Sequence, residues 1–120
     1  MASTDVTLKK GLKIGDTVYT TVTLKEASAG DALDAEVAAE RLYNTIEGPA
    51  VQASPALFGF EILIRQITKL GSDVGENFEG AVTVDMLRLL SRSDLDLLIV
   101  ASRELEKAAE REVLGNRGRD

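Results

Sequence analysis

Val6, Leu8, Leu12, Ile14, Val18, Val22 and Leu24 all stand at even positions, with mostly polar residues between them. Side chains along an extended strand alternate between two faces, so this spacing predicts two strands that share one apolar face and turn near IGDT at 14–17. A two-residue loop at Gly15 and Asp16 would pair Ile14 with Thr17 and set even positions against odd ones. A three-residue loop, Gly15 to Thr17, pairs Ile14 with Val18, Leu12 with Thr20 and Leu8 with Leu24, and is the expected turn. A bulge at Gly11 would also shift the register. Because an isolated two-stranded hairpin is marginal in water, its apolar face has to lie on other parts of the chain or on a partner.

Helical signals follow. Ser28 is placed to cap a helix running to about residue 46, with Asp31 near its positive end. EGPAVQASP at 47–55 reads as a loop, and Ser54 before Pro55 marks a second helix start, with Gly71 as its stop. That helix carries Leu57, Phe58, Phe60, Ile62, Leu63, Ile64, Ile67 and Leu70, more than a narrow stripe holds, so it should be central to the core. SDVGENFEG at 72–80 reads as an irregular turn, and Thr83 opens a short helix through Leu90. From Ser93 onward, Leu95, Leu98, Ala101, Leu105, Ala108 and Ala109 recur at helical spacing to near Gly115. The expectation is a single α+β domain over 1–120: an N-terminal β-hairpin at 5–26, then a mainly α-helical bundle of about four helices over 28–114, with 115–120 a frayed tail.

The 120-residue chain has no histidine and no cysteine, which removes the commonest general base and all thiolate chemistry. Twenty acidic residues against fourteen basic ones give a net charge of −6, which repels nucleic acid; Lys9, Lys10 and Lys13 form the densest basic cluster. GDALDAEVAAE at 30–40 holds Asp31, Asp34, Glu36 and Glu40, but at about 100° per residue these fall on two flanks of a helix around Ala32, Ala35 and Ala39. Carboxylates so divided cannot gather around one cation. At 72–80, a calcium loop opening on Asp73 would place Val84 where a bidentate Glu is needed. The longest uninterrupted apolar run, LLIVA at 97–101, is too short to span a bilayer, and the amino terminus lacks a signal-peptide core. A soluble intracellular protein is expected, with no enzymatic activity, cofactor, metal, nucleic-acid or membrane partner.

The order of features resembles the small tail assembly chaperones of Mu-like bacteriophages. The matching positions are Val6-Thr7-Leu8, Gly15-Asp16, Thr23-Leu24-Lys25-Glu26, Gly30-Asp31, Ile64-Arg65-Gln66-Ile67 and Gly71, then Val84, Leu87, Leu90, Asp94 and Leu98. This resemblance spans roughly residues 6–105 and implies a non-enzymatic protein of the host bacterial cytoplasm. Its partner would be the tape-measure protein, kept soluble until tail-tube subunits polymerise around it, with the tail-tube protein as a second candidate partner. Families of this kind are often made in two lengths by ribosomal frameshifting. A chaperone covering a long client can work in many copies, so a homo-oligomer is among the expected forms, and the alanine face at 32, 35 and 39 permits close helix approach. The candidate contact surfaces are the hairpin edge and the grooves beside the apolar helices, with Phe58, Phe60, Ile62 and Met86 as protein-binding residues. The competing reading is a small acidic adaptor or regulatory module that binds a protein without chaperone action.

Overall fold

The computed structural model describes residues 2–117. The first strands are β1 (Ser3–Ile14) and β2 (Thr17–Lys25), antiparallel and joined by two residues, Gly15 and Asp16, rather than by the expected three. Gly15 takes a positive φ of 62°, which suits the first central position of a tight hairpin turn. Near the turn Leu12 therefore faces Tyr19, an odd position, whereas farther out Val6 faces Val22. A wide bulge reconciles the two. Residues 8–11 of β1 stand opposite Thr20 alone, so three extra residues shift the parity and bring Leu8, Leu12, Val22 and Leu24 onto one buried face. Gly11 lies within this bulge at φ +83°, where a Cβ would sit 2.7 Å from Val18 Cγ1 and 2.9 Å from the Tyr19 carbonyl oxygen. No larger residue fits there without displacing the partner strand.

After β2 come α1 (Ala29–Ala38), β3 (Glu40–Thr45), β4 (Gly48–Ala53) and α2 (Pro55–Gln66), followed by β5 (Ile67–Ser72), α3 (Val84–Leu87) and α4 (Arg92–Arg117). The expected mainly helical bundle is thus corrected to a mixed fold with two antiparallel sheets and one long helix. Two segments carry the correction. The helix expected to reach residue 46 stops at Ala38, and residues 40–53 pair as a second hairpin from Glu40 opposite Ala53 to Thr45 opposite Gly48. Likewise the central helix ends at Gln66 instead of Gly71, because Ile67–Ser72 pairs antiparallel with the free edge of β2, giving the order β1-β2-β5. Gly71 is a ladder residue opposite Thr21 rather than a helix cap. Of the expected frayed tail, residues 115–117 continue α4 and 118–120 lie outside the described residues.

Other local signals act as the sequence suggested. Ser28 accepts from the Asp31 amide at 3.0 Å, while the Asp31 carboxylate accepts from the Ser28 amide at 3.0 Å, closing a reciprocal cap on α1. The Ser28 amide lowers the Asp31 pKa, aided by Lys25 at 3.4 Å. Ser54 caps α2 with Pro55 in its first turn, and Thr83 caps the single turn of α3.

The core joins Leu8, Leu12, Val22, Leu24 and Leu70 of the three-stranded sheet to Leu63 of α2, Leu87 of α3, and Leu98 and Leu105 of α4. Tyr19 closes one side, its ring edge-to-face with Phe78 at 5.8 Å. Polar ties cross the same core. Gln66, fully buried at the end of α2, accepts through Oε1 from the Ser102 hydroxyl of α4 at 2.7 Å; its Nε2 has no acceptor among the described residues.

The buried carboxylate of Asp94, in the first turn of α4, accepts from the amides of Lys9 at 2.7 Å and of Lys10 and Gly11 at 3.0 Å. The bulge in β1 thus turns three consecutive N–H groups out of the ladder and toward one anion. Burial alone would raise the Asp94 pKa, but these amides and the Ser91 hydroxyl outweigh it, and the net shift is downward. The acid is held ionised as a clamp between the two ends of the chain.

Candidate protein-binding surface

Among the described residues, three apolar grooves border α2. The first, about 350 Å³, lies between α2 and α4, with Gly59, Phe60, Ile62, Leu95 and Ile99 on its walls and Arg103 and Glu106 at its rim. A second, about 650 Å³, runs between α2 and the α3 region past Phe60, Ile64, Val82 and Val84, with Arg41, Glu61 and Arg88 among its polar edges. The third, about 480 Å³, is cut into the α3–α4 corner by Phe60, Leu90, Leu95 and Ile99, flanked by Arg88, Arg92 and Asp96. Lining residues on α2 and α4 recur at three- and four-residue spacing, the stripe that one helix offers to another.

The four predicted contact residues separate on this map. Phe60 lines all three grooves while its inner side packs on the core, so it stands at their junction. Ile62 lines the α2–α4 groove. Met86 packs against the core instead, and its backbone amide is taken by the Thr83 cap. Phe58 is half-buried and lines none of these three grooves. Glu61 and Arg65 of α2 pair with each other at 3.0 Å, whereas Lys69 belongs to β5.

The acidic stretch at 30–40 behaves as helix geometry requires in its first part. Ala35 and Ala39 are fully buried, and Asp34 and Glu36 are exposed on either side. Beyond it lies the surface the sequence reading missed. Every residue of β3 is exposed, and the cross-strand pair Leu42 and Val51 is 69% and 63% exposed on one face. Ile46, at the ribbon's tip, is fully exposed, and Leu33 and Val37 on α1 are exposed as well. A signal was present in Gly48, whose φ of +117° serves the tight return of the chain and which precedes a proline excluded from helix interiors.

Among the described residues no group of three or more potential metal-binding side chains forms, and no helix is long and apolar enough to cross a membrane. The turn at 72–80 is instead tied by its own backbone, Gly71 bridging to Asn77, while Asp73 accepts from the Thr20 hydroxyl at 2.6 Å.

Comparison with known proteins points in one direction. The family model for tail assembly protein gp41 matches residues 8–119. Mu-like prophage FluMu protein gp41 of Haemophilus influenzae is 42% identical over 113 residues, covering 93% of this chain and 84% of its own length. The probable tail assembly protein gp41 of Escherichia phage Mu is 36% identical over 116 residues, 93% of this chain and 77% of the relative. The same phage's probable tail assembly protein FS-gp41 is 36% identical over 115 residues, which is 92% of this chain but 58% of that longer relative. No solved structure matches the chain.

Proposed function

The chain belongs to the tail assembly protein gp41 family, and from that premise we propose that it serves phage tail assembly as a chaperone, binding the tape-measure protein and keeping it soluble until the tail tube polymerises around it. The role is non-enzymatic and is carried out in the host bacterial cytoplasm. The observation that carries this reading is the set of grooves meeting at Phe60. Their walls are aliphatic, their rims are charged, and their stripes follow helical spacing, which suits an amphipathic helix laid in a groove. A helix seated there would hide its own apolar face from water, the surface through which a long helical client aggregates.

The test is co-expression with a tape-measure fragment that precipitates alone. The wild-type chain should hold it in the soluble fraction, and Ile62→Asp, in the groove wall, should weaken capture about tenfold or more with its thermal melt little changed. Capture without any gain in client solubility would make the protein an adaptor rather than a chaperone. Unimpaired capture by Ile62→Asp would remove the α2–α4 groove from the interface.

A further inference from the structure

We propose that copies of this chain associate with one another by seating the tip of the β3–β4 ribbon of one copy in the groove at the α3–α4 corner of another. The inference goes beyond the chaperone reading and needs no client.

The ribbon is the least covered element of the fold. Both of its faces are open to solvent, its apolar pair Leu42 and Val51 is uncovered, and Ile46 projects from the tip beside Glu47. Two strands alone are marginal in water, so a ribbon of this length gains from a partner surface. Charge points to which surface. Asp34, Glu36, Glu40 and Glu47 on α1 and the ribbon form no ion pair among the described residues. The one cation on the ribbon, Arg41, turns its guanidinium onto the carbonyl oxygens of Ala38 and Glu40. The lobe is therefore acidic around an apolar tip.

The corner groove is its complement. Its floor is Phe60, Leu90, Leu95 and Ile99, and Arg88 and Arg92 stand at the rim together with the carboxylate of Asp96. Two arginines thus face one carboxylate in the lining of the groove, and the pair Arg88–Asp85, 3.7 Å apart with both side chains exposed, neutralises little. Ile46 meets the apolar floor while Glu47 meets Arg88 and Arg92. Opposite fields speed and orient such an encounter, so the contact should weaken as salt rises.

Sedimentation of three preparations tests this. The wild type should self-associate, whereas Ile46→Asp and the double variant Arg88→Glu with Arg92→Glu should each lose at least tenfold in association. All three sites are exposed, so circular dichroism melts close to wild type are expected and serve as the folding control. Mixing the two variants should restore a one-to-one complex, because one chain keeps an intact groove and the other an intact tip. A wild type that stays monomeric to about 100 µM, an Ile46→Asp chain that associates like wild type, or a mixture that stays monomeric would each overturn the proposal. Loss of tape-measure capture by Ile46→Asp in a monomeric wild-type background would assign the ribbon to the client instead.

Discussion

Asp94 shows how much one side chain can organise. It is a charged group fully removed from water, yet three backbone amides and a serine hydroxyl replace its hydration, and the balance favours the anion. Asparagine in its place keeps the volume but turns an NH₂ or a single oxygen toward three donors. Asp94→Asn should therefore cost about 3 kcal/mol, seen as a fall of roughly 10 °C in the melting midpoint at neutral pH. The pH dependence has a definite sign. Because the folded pKa lies below the ordinary carboxylate value, the clamp contributes fully above that value and loses its contribution as pH falls through the lowered pKa. Thermal melts of wild type and variant should differ most near neutrality and converge as the pH falls below the ordinary carboxylate value; a gap that persists unchanged in acid would contradict a stabilising anion. Nothing in the residue types around Asp94 announces this role. Its partners are backbone groups freed by a bulge, and an acid in the first turn of a helix reads as an exposed one.

At the scale of elements, the ribbon at 40–53 is joined to the rest through a narrow root, where the Ser54 amide donates to the Ala39 carbonyl oxygen at 2.9 Å. None of its residues belongs to the main core cluster. Replacing residues 40–53 by a short Gly-Ser turn should consequently leave a cooperative melt within a few degrees of wild type; a collapse of the fold would mean the ribbon braces α1 against α2. The sequence revealed the first hairpin, the caps at Ser28, Ser54 and Thr83, and the inner face of α4, because each rests on local chemistry or on burial against one side. It misled where a helical stripe ran on by coincidence. Ala35 and Ala39 are followed at helical spacing by Leu42 and Ile46, but the chain has already turned into a ribbon that is wet on both faces and so shows no buried alternation. Leu63, Ile67 and Leu70 continue the stripe of α2 in the same way, yet the open edge of β2 takes the last two as strand. That choice is tertiary, set by a partner more than 40 positions away. The grooves were legible only in part: of the four residues named from the sequence, Phe60 and Ile62 line them, whereas Phe58 lines none of the three and Met86 packs on the core.

As a whole the molecule is open for its size. A radius of gyration of 16.6 Å compares with about 14 Å for a compact chain of this length, because the ribbon and the far part of α4 extend beyond the core. Small-angle scattering at low protein concentration and high salt should show this extended single chain. Raising the concentration at low salt should increase the apparent size as tips find grooves; a size independent of both would leave the chains separate. An extended outline also leaves the grooves around Phe60 accessible from the side, as the proposed binding of a long client requires.

The clamp at Asp94 has one more consequence, for the order in which the chain is made. It joins the carboxylate to amides 83 to 85 residues earlier, and Leu98 and Leu105 close the same core. Contacts of such separation form late and slow folding. At ordinary synthesis rates the first hairpin emerges and waits about 5 to 20 s for α4 to be translated, its leucines bare in the meantime. A protein proposed to shelter another chain's apolar surface thus passes through a stage, on every ribosome, when its own is uncovered.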